Sequence, residues 1–384
     1  MRRLLFFLLL PVLLQADERW IEIHSGPFFV LSSNDKAARE TMNQLEQFRN
    51  ALGTTLGKSD LHLIWPLRVI VFKKRSPVQE SPIRLARDSY VTATVDDAGL
   101  SPERLKELAR LLIGQNTARF PVEIENGLIE LFSTLDIDGT RVTLGAPPPA
   151  AARSRDWARM HLLNVFPDYA GRSRVLFNNL EQTSDLNVSY QNAYQKSAGQ
   201  IEKQLDEYMK TASYGTTGIS GRPINPLRDF HAPTASANDV KIAVADLKQS
   251  YSDLHGPEAA EGLGLQALAA HHNDEAKQLF ASAMQSESKS ARVYYEAARL
   301  ETDPATAWKW LQKSAELNPL WGEPVYREAL LAKDLDRKAA LLKKAASLDP
   351  RNIEYWETLA KNETEANRFV DAQKAWGGAE RAAA

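Results

Sequence analysis

The sequence predicts an α+β domain over residues 17–225, a connecting segment with one helix over 226–256, and an all-α helical-repeat solenoid over 257–384. Three observations carry this. In the first half, short runs rich in aromatic and β-branched residues alternate with apolar stripes at helical spacing. A stretch dense in turn formers, "TASYGTTGISGRPINPL" from Thr211 to Leu227, then interrupts the pattern and predicts an exposed boundary. Beyond it the chain reads as continuous helix, with small and large residues returning at regular intervals.

The bulk properties agree. A chain of 384 residues, 43% hydrophobic and 25% charged, holds two or three ordinary globular domains. The net charge of -2 excludes a strongly basic footprint for nucleic acid or an acidic membrane surface. With no cysteine, the protein has no disulfide, no thiol nucleophile and no thiolate metal ligand. Folding must rest on core burial, which this length permits.

The opening "MRRLLFFLLLPVLLQADERW" joins two arginines to an apolar run from Leu4 to Leu14 and a small residue at Ala16. This pattern predicts a secretory signal peptide over residues 1–16, and so export to the periplasm or the exterior. The run is too short for a spanning helix, which needs about 20 apolar residues, so no membrane span is expected after cleavage.

Each element then has a local reason. "RWIEIHSGPFFVLSS" alternates around Gly26-Pro27 and predicts a strand, a turn and a second strand. Asn34 or Asp35 caps the helix that follows, whose stripe is Met42, Leu45, Phe48 and Leu52. "LRVIVFKK" and "SYVTATVDD" are further strands. Ser101-Pro102 starts a helix with the stripe Leu105, Leu108 and Leu112. Asp138-Gly139 suits a tight turn, with Leu135 and Ile137 facing Val142 and Leu144. "SAGQIEKQLDEYMK" is an amphipathic helix.

In the C-terminal region Ala276, Ala307, Lys338 and Ala372 are spaced 31, 31 and 34 residues apart. Leu311 and Ser314, then Leu342 and Ala345, follow at matching places, and Pro319 and Pro350 close the units. Small residues let paired helices approach, and a proline ends the second helix. This resembles tetratricopeptide repeats over residues 257–384, in four units of which the middle two are shortened between their helices.

"KELARLLIGQNTARFPVEIENGLIELFST" (Lys106 to Thr134) reads as two helices joined by a turn. With the hairpins around it, it resembles the two-helix frame of the peptidase-MA-like gluzincin family of secreted bacterial proteins. The resemblance implies a zincin-like domain whose first helix holds H-E-x-x-H and whose second holds a Glu-Gly-Leu-Ala-Glu type motif. Lys106 and Arg110 stand where the histidines belong, and Asn126 where the third ligand belongs. Glu107, at the water-activating position, and Glu130 remain. Two cations repel a metal ion and have no lone pair to give it. One carboxylate does not replace three protein ligands. No zinc, no other cofactor and no metallopeptidase activity are expected. A bland reading also fits these residues, as solvated charges paired along a helix.

The remaining histidines form no ligand set: His271-His272 read as a turn between repeat helices, and His62 and His161 as isolated. The sequence therefore favours an exported non-catalytic scaffold whose repeats bind a protein or peptide. Trp308, Trp310, Trp321, Tyr326 and Tyr355 are the candidate exposed anchors, and Trp356 and Trp376 the expected core. One alternative is a divergent hydrolase rebuilt around Glu107 and Glu130. Another is an envelope component in which both domains are spacers.

Overall fold

A computed structural model describes residues 19–73, 81–96, 99–210 and 213–383. The expected signal peptide, residues 1–16, lies outside them. An N-terminal α/β region is followed by an array of helix pairs.

The first sheet has five strands: β1 (Ile21–Ser25), β2 (Phe28–Ser32), β3 (Leu67–Phe72), β4 (Ser81–Leu85) and β5 (Tyr90–Val95). Their order is β1-β2-β3-β5-β4. Strands β2, β3 and β5 run parallel, and the two edge strands run antiparallel to their neighbours. The hairpin turns at Gly26, whose φ of 51° favours glycine. Helix α1 (Asp35–Leu56) crosses from β2 to β3, and the side chain of Asn34 caps it by accepting from Ala37 N–H. Its buried stripe of Met42, Leu45, Phe48 and Leu52 is the one the spacing predicts.

Helices α2 (Pro102–Asn116) and α3 (Val122–Phe132) follow as expected, although Ser101 makes no side-chain cap bond. Strands β6 (Asp136–Asp138) and β7 (Arg141–Leu144) form the hairpin around Gly139, pairing Ile137 with Val142. Helices α4 (Arg155–Val165), α5 (Ser173–Thr183), α6 (Leu186–Tyr194) and α7 (Ala198–Tyr208) complete a core continuous with α1 and the sheet. The turn-rich stretch differs from expectation. Thr217–Ser220 is a strand, β8, that pairs with β7, and Gln47 of α1 bonds Arg222 beyond it.

After the short α8 (Pro226–Asp229) comes α9 (Ala237–Lys248). Its Val240 and Ala243 cluster with Trp20, Leu31, Ile70, Phe72 and Ala93 on one face of the five-stranded sheet. This connecting helix is thus part of the sheet's core, because the sheet is apolar on both faces.

Four helix pairs follow: α10 (Pro257–Ala269) with α11 (Asn273–Gln285), α12 (Ala291–Leu300) with α13 (Pro304–Leu317), α14 (Gly322–Leu331) with α15 (Leu335–Leu348), and α16 (Ile353–Glu365) with α17 (Phe369–Ala383). Helices α12 and α14 have 10 residues against 13 in α10 and α16, while the connection within each pair is three residues long, so the middle units are shortened in their first helix and not between their helices. Close packing accounts for the small residues. A Cβ on Gly264 would fall 2.6 Å from the Phe280 ring, and one on Gly378 would fall 2.5 Å from Trp356. His271, at φ 62°, forms the turn between α10 and α11.

Candidate functional site

Helices α2 and α3 pack against each other, and Lys106, Glu107 and Glu130 are engaged by neighbours. Lys106 Nζ lies 3.8 Å from Glu130 Oε1. The Ser154 hydroxyl, at the N-terminus of α4, also donates to Glu130. Glu107 accepts the Ile83 N–H of edge strand β4 at 2.9 Å and pairs with Arg104. Arg110 and Asn126 are exposed. The structure therefore joins Lys106 to Glu130, ties Glu107 to the sheet edge, and leaves Arg110 and Asn126 in solvent. Among the described residues no three metal-ligating side chains converge.

Gly127, in the middle of this frame, has a packing reason. A Cβ there would sit 2.2 Å from the Asp156 carbonyl oxygen and 2.7 Å from Met160. Its absence lets α3 and α4 touch along their backbones.

Behind the frame, His161 is fully buried rather than isolated. Its Nε2 lies 3.0 Å from both the Gly145 and the Gly215 carbonyl oxygens, and its Nδ1 is 2.7 Å from the Tyr208 hydroxyl. Carbonyls only accept, so Nε2 carries the proton and Tyr208 donates to Nδ1. Burial pushes the imidazole below its ordinary value and pushes Tyr208 up to about 12. Trp157 and Tyr214 pack against the ring. The group pins α4, α7 and the end of β7 together.

The aromatic anchors divide. Tyr326 and Tyr355 are each 2% exposed, with ring centroids 4.6 Å apart, so they are repeat core and not surface. Their hydroxyls donate to Glu354 and Glu323. Trp321 is also covered, packed on Tyr295 and on Trp65 of the α/β domain, with centroids at 4.5 and 4.9 Å. Trp310 packs half-buried against the first two helix pairs. Trp308 is half-buried, with the Arg337 guanidinium 4.5 Å from its ring centroid.

Trp376 corrects the other expectation. It occupies the place of Phe280, Leu311 and Leu342 in the preceding units, which are 0%, 3% and 0% exposed under the next helix pair. No pair follows α17 among the described residues, and Trp376 is 42% exposed. Trp356 is half-buried over Gly378, and its indole N–H donates to the Pro350 carbonyl at 3.0 Å.

The densest polar structure is elsewhere, in a seam between the α/β domain and the loops joining successive helix pairs. Arg87, buried in the β4–β5 turn, binds both carboxylate oxygens of Asp246 at 2.9 and 3.1 Å and also pairs with Glu261. Burial pushes both acids up, against the attraction of Arg87. Ser288 donates to Glu261 at 2.6 Å, and Arg292 donates to the Ala86 carbonyl at 2.6 Å. One loop further on, Asn318 donates to the Ile64 carbonyl at 2.8 Å, beside the Trp65–Trp321 contact. One loop further again, Arg351 holds both oxygens of Glu125 at 2.9 Å and donates to the Thr117 carbonyl at 3.0 Å.

No protein-family model and no curated protein matches the chain. Among solved structures, a crystal structure of MamA is 16% identical, covering 39% of this chain and 96% of that one, with a TM-score of 0.32. MamA from Desulfovibrio magneticus RS-1, residue 41 to its end, is 14% identical over 38% of this chain and 86% of its own, with a TM-score of 0.30. MamA AMB-1 is 20% identical over 38% and 84%, also at 0.30. At those values the likeness carries no argument about this chain.

Proposed function

We propose that this chain is an exported, non-catalytic interaction protein, in which a pseudo-peptidase domain of the zincin type carries tetratricopeptide-like repeats that bind a protein or peptide. The observation that supports it best is the Lys106–Glu130 contact at 3.8 Å. A cation occupies the first ligand position of the resembled frame and takes the remaining carboxylate of the second helix. Glu107, the other carboxylate, is held through its Oε2 by the Ile83 N–H and Arg104. A general base must be free to take a proton from water or substrate. Export rests on the signal-peptide pattern of residues 1–16, and the partner class rests on the helix pairs.

Metal analysis of the purified protein, with a casein and peptide cleavage assay, tests the reading. It expects no stoichiometric metal and no chelator-sensitive cleavage. Stoichiometric zinc with cleavage that a chelator abolishes would contradict it.

A further inference from the structure

The seam encloses a crevice with two lobes. One, about 420 Å³, lies between the sheet, α9 and the first helix pair. The other, about 310 Å³, continues beneath the second pair. Asp88 and Lys289 line both lobes, which makes them one groove. Volumes of this size at a domain interface are typical of ligand sites.

The lobes differ in chemistry. The smaller is walled by Pro27, Leu63, Trp65, Leu317 and Leu320. The larger presents Glu22, Asp88, Asp239, Glu258, Glu261 and Glu287 against Arg68, Arg87 and Lys289. Arg87 is consumed by Asp246 and Glu261. Asp88, Glu258 and Glu287 have no ion-pair partner among the described residues, and neither has Lys289, so the open charge of this lobe is negative on balance.

Acidic residues alone make no site. A second observation comes from polar groups left waiting. Ser290, 3% exposed, lines the larger lobe, and its hydroxyl has no hydrogen-bond partner. In the same lobe, Arg68 is ion-paired to Glu22 at 3.8 Å and to Asp246 at 3.6 Å, with no hydrogen bond from its Nε or Nη1. A buried polar group without a partner carries an uncompensated desolvation cost, which a ligand supplying the partner recovers.

We propose that this interdomain crevice binds an extended peptide segment carrying an apolar residue followed by basic ones. The apolar side chain enters the Trp65–Leu317–Leu320 lobe, and the basic side chains meet Asp88, Glu258 and Glu287. The Ser290 hydroxyl bonds the peptide backbone. The proposal rests on the interaction-protein reading and moves its binding site from a repeat surface to the seam.

Calorimetric titration of the full chain with acetyl-Leu-Leu-Lys-Lys-amide tests it, with acetyl-Leu-Leu-Glu-Glu-amide and spermidine as comparison ligands. The lysine peptide is expected to bind at least about tenfold tighter than either. Glu287→Lys, at an exposed position, and Asp88→Lys are each expected to weaken it by about tenfold. Absence of binding, equal binding of the acidic peptide or of spermidine, or indifference to both substitutions would overturn the proposal. In-cell crosslinking separates its failure from that of the broader reading. A partner still captured by Glu287→Lys, with no peptide binding, sinks the crevice alone. Peptide binding with no partner captured supports the crevice and counts against the repeats as the docking surface.

Discussion

The frame on α2 and α3 and the seam between the domains are both built from charged residues, but they sit in different surroundings. In the frame, Lys106 is 42% exposed at its side chain and its carboxylate partner 25%. In the seam, Arg87 is 4% exposed and Asp246 not at all. Charges in water gain little by meeting, whereas charges taken out of water must be paired completely. The stretch that resembles a catalytic motif is therefore expected to be energetically quiet. Residues belonging to no motif hold the two halves of the molecule together.

Substitutions that unbalance the seam give the largest expected effects. Arg87→Met leaves Asp246 and Glu261 buried without their cation and should destabilise the protein by about 3–5 kcal/mol in a denaturant titration. Replacing all three with apolar residues should recover much of that loss, because no uncompensated charge remains. A triple variant as unstable as the single one would mean that Arg87 acts through packing instead.

The frame has one sensitive position, and it is not a charged one. Gly127→Ala drives a methyl into the Asp156 carbonyl at the α3–α4 contact. A loss of about 1–3 kcal/mol is expected, read as a lower melting temperature.

His161, just behind the frame, adds a pH dependence. Its folded pKa lies below the ordinary value because of burial, so the unfolded chain takes the proton first. Its contribution is then complete above about pH 6.5 and is lost as pH falls. His161→Gln should flatten the stability profile on the acid side, and an unchanged slope would assign the dependence to another group. The smallest effect is expected at the resembled ligand position. Lys106→Ala should change stability by only about 0–1 kcal/mol, since the pair is solvated.

Local chemistry was readable in the sequence. The Gly26 turn, the Asn34 cap, the Asp138-Gly139 hairpin and the four helix pairs follow from neighbours within a few residues or from a fixed repeat. What was not readable depends on distant partners. Strand β4 contains Pro82 and does not alternate, and its Ile83 N–H is satisfied by Glu107, 24 residues on. Strand β8 carries Gly218 among turn formers and exists because β7 offers it an edge.

The same holds at the candidate site. Arg87 meets its acids 159 and 174 positions away, and Arg351 meets Glu125 across 226. No spacing rule connects such pairs. Tyr326 and Tyr355 look like surface aromatics until Glu323, Glu354 and the neighbouring unit cover them. Trp376 errs the other way, since its consensus position implies a following helix pair that the described residues do not include.

The α/β domain and the helix pairs should fold as one body through the seam. Differential scanning calorimetry tests it most directly. The account predicts a single transition for the native chain, split into two by Arg87→Met combined with Arg351→Ala. Two independent transitions in the native chain, unmoved by those substitutions, would contradict it.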